Sequence, residues 1–94
     1  MIQERIDLFV NGELNRKLVE EKVRELVTLY QCRTDSEVAE KLREWIHDHG
    51  LWLNFVRCES VKTPIGWRYR VTIGKRSVDL PIDIVESLKA NREW

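Results

Sequence analysis

The chain predicts an α+β domain: a helical hairpin packed on a three-stranded antiparallel meander with a short C-terminal helix, in the order α-α-β-β-β-α. Three observations predict it. Apolar residues in the first half recur at helical spacing, as in Val19, Val23, Leu26, Val27 and Tyr30. From residue 51 the period becomes two, most clearly in "WRYRVTI" at 67–73. A helix-start signal at "TDSE" and a helix-stop signal at Gly50 punctuate the region between. The 94 residues are one domain's worth of chain, and residues 1–94 are read as a single domain.

The first element satisfies two patterns. Ile2, Ile6 and Phe9 have helical spacing, whereas Ile6, Leu8 and Val10 have strand spacing. Asn11-Gly12 ends it in either case. A helix from about Glu13 to about Gln31 follows. Its wet face carries charge pairs four apart, such as Glu20–Arg24. At Thr34 the hydroxyl can accept the Glu37 N–H while Glu37 reaches back to Thr34. The second helix then presents Val38, Leu42, Trp45, Ile46 and His49 on one face.

"LWLNFVRCE" reads as a strand, with Leu51, Leu53 and Phe55 alternating with Trp52, Asn54 and Val56. "SVKTPIG" reads as a loop because of Pro64 and Gly66. In "WRYRVTI", Trp67, Tyr69, Val71 and Ile73 form the covered face, and Arg68, Arg70 and Thr72 point outward. Gly74-Lys75 permits a tight reversal into "RSVDL". Pro81 fits the first turn of a last helix over 81–90, with Ile82, Val85 and Leu88 as its stripe.

Composition narrows the function classes. Hydrophobic content is 43% and charged content 34%, as in a folded, highly charged domain. No apolar run approaches the ~20 residues a membrane span needs. The charged N-terminal stretch "MIQERIDLFVNGE" is unlike a secretory leader. Cys32 and Cys58 read as free thiols in a reducing compartment, and the cytoplasm is the expected location.

Catalytic and metal-binding patterns are missing. His47 and His49 are two apart, so on a helix they diverge, whereas shared ligation needs a spacing of three or four. No nucleophile stands at a spacing that puts it beside a base, and the glycines form no phosphate-binding loop. The expectation is a protein that is not an enzyme and has no metal and no cofactor.

Net charge is zero but unevenly spread. Residues 1–56 hold eight basic and eleven acidic side chains; residues 57–94 hold eight and five. Arg57, Lys62, Arg68, Arg70, Lys75 and Arg76 cluster within twenty positions. Basic side chains interleaved with aromatics are what nucleic-acid binding uses. The leading expectation is therefore a small nucleic-acid-binding or regulatory module, with DNA or RNA as partner and those six residues as its surface. The alternative is a protein-interaction domain, another protein or a second copy being the partner. It would bind through exposed tryptophans, Trp52 and Trp94, and an acidic helical face.

The order α-β-β-β-α over "TDSEVAEKLREWI", "LWLNFVRCE", "WRYRVTI", "RSVDL" and "PIDIVESLKA" resembles the double-stranded-RNA-binding architecture and the small toxins that share it. The resemblance is in topology. The toxins' catalytic histidine near the middle strands has no counterpart, so ribonuclease activity is not implied. The stretch "IDLFVNGELNRKLVEEKVRELVTLYQCRTDSEVAEKLREWI" also resembles a ribbon-helix-helix repressor, although "IDLFV" lacks that family's polar base-reading face. Both resemblances imply a nucleic-acid partner.

Overall fold

A computed structural model describes residues 6–93; expectations for residues 1–5 and for Trp94 fall outside the described residues. The chain opens with a hairpin, β1 (Phe9–Val10) and β2 (Glu13–Leu14), so the strand spacing is the one realised. Asn11 and Gly12 both have positive φ, 53° and 80°, the conformation a two-residue hairpin turn demands. Leu8 and Leu14 are buried beneath the turn.

Helix α1 spans Arg16–Thr28, shorter at both ends than its periodicity suggests. Asn15 caps it: its side chain accepts the Leu18 N–H and donates to the Asp7 carbonyl, which commits residues 13 and 14 to the hairpin. At the other end Gln31 turns left-handed, with φ 52°, and the Cys32 N–H returns to the Leu26 carbonyl. Helix α2 spans Asp35–Asp48. The Thr34 hydroxyl accepts the Glu37 N–H at 3.2 Å as expected. Glu37 in turn accepts from the Arg33 N–H, one residue before the expected partner.

Three strands follow: β3 (Val56–Thr63), β4 (Gly66–Ile73) and β5 (Arg76–Leu80), antiparallel in that order. Strand β3 is shifted along the chain from its expected place. The run 60–63, read as loop, pairs up to Thr63↔Gly66, whereas 51–55 is irregular. The hairpins explain the shift. Pro64 and Gly66 take the positions a four-residue turn favours, which pulls Ser60–Thr63 into register. At the other end Val56 pairs with Ile73, and Gly74 (φ 63°) then turns β4 away, leaving 51–55 without a partner strand.

Helix α3 (Asp83–Arg92) returns across α1. It is fixed by buried Ile84 and Leu88, by Asn91 donating to the Val27 and Cys32 carbonyls, and by Arg24 bridging Asp83 at 2.8 Å. The core lies between the helices and one sheet face, where Tyr69, Val71, Ile73 and Leu80 have no exposed surface. Trp67 shares that face by register but is 52% exposed, against the expectation that it joins the core. It sits at the start of β4, at the margin of the cover. No helix among the described residues is long and apolar enough to cross a membrane.

Candidate functional site

The outer face of the sheet carries Arg57, Arg68 and Arg70, and pairing there is extensive. Register puts Glu59, Arg70 and Asp79 in one row across β3, β4 and β5. Arg70 holds Asp79 with two parallel bonds, Nε to Oδ1 at 2.7 Å and Nη2 to Oδ2 at 3.1 Å. The guanidinium keeps the Asp79 carboxyl below its usual range, and the carboxylate pushes Arg70 further up. Arg57 bridges Glu59 at 2.6 Å. Arg68 donates Nη1 to the Trp67 carbonyl at 2.7 Å.

The six basic residues therefore divide among three places. Arg70 lies mid-face and is neutralised. Lys62 pairs in register with Trp67 and, with Arg68, belongs to the Gly66 end of the sheet. Arg57, Lys75 and Arg76 belong to the Gly74 end, where the Gly74 N–H donates to the Phe55 carbonyl at 2.8 Å. Among the described residues neither Lys75 nor Arg76 is in an ion pair.

The irregular segment at the Gly74 end presents Trp52, 78% exposed, and Phe55, 54% exposed. The Trp52 ring leans on His47, with centroids 5.2 Å apart. The His47 Nε2 is buried and has no hydrogen-bond partner among the described residues. Tyr30 is also exposed, but Lys22 Nζ already lies 5.8 Å from its ring centre. Phe55 escaped sequence reasoning because strand alternation assigned it inward; Gly74, which ends the pairing at Ile73, was the available signal.

The Gly66 end differs. A groove of about 550 Å³ opens between α3 and the start of β4, lined among others by Asp35, Trp67, Val85, Glu86, Lys89 and Arg92. Next to it the buried Tyr69 hydroxyl donates to Asp35 Oδ1 at 2.9 Å. Burial, then the neighbouring Cys58 and Asp35, push the Tyr69 phenol well up. Burial also pushes the Cys58 thiol up to about 12 and raises Cys32. Both thiols are free and buried, and neutrality makes them poor nucleophiles. Among the described residues no three side chains form a metal-binding group. The chain matches none of the protein-family models, curated proteins or solved structures with which it was compared.

Proposed function

We propose that this protein is a non-enzymatic, cytoplasmic nucleic-acid-binding module that holds a single strand at the Gly74 end of its sheet. One observation carries the reading: an indole and a phenyl ring stand exposed together at the end of the sheet where Lys75 and Arg76 are, among the described residues, outside any ion pair. Bases stack on Trp52 and Phe55, while Lys75, Arg76 and, once drawn from Glu59, Arg57 meet the phosphates. Stacking on an exposed aromatic contributes about 1–3 kcal/mol per base, and any base can use it. A single strand suits the site better than a duplex, whose bases are already stacked. The neutral, buried thiols fit a reducing compartment.

The test is a tryptophan-fluorescence titration with decathymidylate and the matching RNA at several salt concentrations. Binding should weaken with salt by about 0.7 log units per phosphate contact for each log unit of salt. Trp52→Ala should lose roughly 1–3 kcal/mol of affinity with little loss of stability. Absence of binding at low salt contradicts the reading. So does binding that ignores both salt and Lys75→Ala/Arg76→Ala.

A protein partner is the second reading. The neutralisation of Arg57 by Glu59 and of Arg70 by Asp79 favours it, because paired arginines offer a polyanion little. The groove at the Gly66 end is where such a partner would seat.

A further inference from the structure

The Gly66 end has an exposed tryptophan but a different charge pattern. Its groove holds two acidic residues, Asp35 and Glu86, and two basic ones, Lys89 and Arg92. On α3, Ile84, Leu88 and Asn91 are spent on α1 and the loop after it. Val85, Glu86, Lys89 and Arg92 occupy the adjoining stripe and line the groove. Among the described residues Glu86 and Lys89 are in no ion pair. Trp67, 52% exposed, and Ile82 continue the apolar lining of the groove beyond Val85.

A surface with equal charges of both signs, separated along a helix, is complementary to itself when turned end for end. We infer that this groove is the interface with a second copy of this chain, α3 lying antiparallel to its counterpart across a two-fold axis. In a two-fold contact, if one residue meets another, the reciprocal contact also forms. An axis midway between positions 86 and 89 sets Glu86 of each copy against Lys89 of the other, giving two equivalent ion pairs. Val85, Trp67 and Ile82 supply the apolar surface beside them. A single-signed partner would leave either Glu86 or Lys89 unmatched; a second copy matches both. The interface is independent of the nucleic-acid reading, because Trp67 and Gly74 are seven residues apart on an extended strand, roughly 20 Å.

Sedimentation equilibrium on the full chain tests this, with circular dichroism to confirm folding. The wild type should dimerise at micromolar to hundred-micromolar concentration. Lys89→Glu sets two acidic pairs face to face and should weaken dimerisation about tenfold or more. Glu86→Lys combined with Lys89→Glu exchanges the charges and should restore it. A wild type that stays monomeric throughout overturns the inference. A dimer indifferent to Lys89→Glu also overturns it, as does a folded double variant that stays monomeric.

Discussion

The two ends of the sheet each expose a tryptophan, but they put it in different company. At the Gly74 end Trp52 stands with Phe55 where, among the described residues, Lys75 and Arg76 have no ion partner. At the Gly66 end Trp67 borders a groove in which Asp35 and Glu86 offset Lys89 and Arg92. Exposed apolar area is similar in kind at both. Lys62 and Arg68 put cations at the Gly66 end as well, so what differs is the charge-balanced groove along α3 beside Trp67: an excess of cations suits phosphates, and a balanced set suits a surface like itself.

The comparison is broken most completely by removing what the ends share. Tyr69 lies in β4 between them, with no exposed surface, and its hydroxyl ties the sheet to Asp35 at the start of α2. Tyr69→Ala should cost about 3–5 kcal/mol, the usual range for emptying a large aromatic site. Chemical denaturation should then show both ends failing together; a loss below about 1 kcal/mol would mean the ends do not share this core.

Alkaline pH strikes the same place more gently. The Cys58 thiol is raised from 9.0 to about 12, and Tyr69 is raised from 10.0. A group whose folded pKa is raised stabilises the fold below its unfolded value and loses that contribution as pH climbs toward its folded value. Stability should therefore be flat up to about pH 9 and then fall by a few kcal/mol toward pH 12. Denaturant midpoints against pH check this, and Cys58→Ala should flatten the part of the decline that begins near pH 9.

A subtler change tests the charge argument directly. Asp79 is held below its usual 3.8 by Arg70, so its ion pair stabilises above that range and is lost as pH falls through the lowered value. Both side chains are more than a third exposed, at 40% and 35%, so Asp79→Asn should cost less than about 1 kcal/mol. It should nevertheless free Arg70 on one side and steepen the salt dependence of oligonucleotide binding by up to about 0.7. An unchanged slope would show that the outer face takes no part.

These differences were only partly legible in the sequence. The alternation in "WRYRVTI" correctly separates the buried Tyr69, Val71 and Ile73 from the outward Arg68, Arg70 and Thr72, because strand period is a local property. The cap at Thr34 and the Asn11-Gly12 turn are local too, and both form. Register is not local. Strand β3 slid towards Thr63 because the Pro64–Gly66 turn fixed its pairing, and this left Trp52 and Phe55 outside the sheet. The exposure of Trp67 depends on how far the helices reach over the sheet, which no pattern within β4 encodes. The pairing of Arg70 with Asp79 joins residues nine apart through the β4–β5 register, so the cluster of arginines looked freer in sequence than it is in space.

Single-strand binding at the Gly74 end is tested most directly by an NMR chemical-shift map of the labelled protein titrated with decathymidylate. Shifts are expected only for residues near Trp52, Phe55, Arg57 and the Gly74–Arg76 turn, disappearing as salt rises. Shifts centred on Trp67 and α3, or none at low salt, would contradict it.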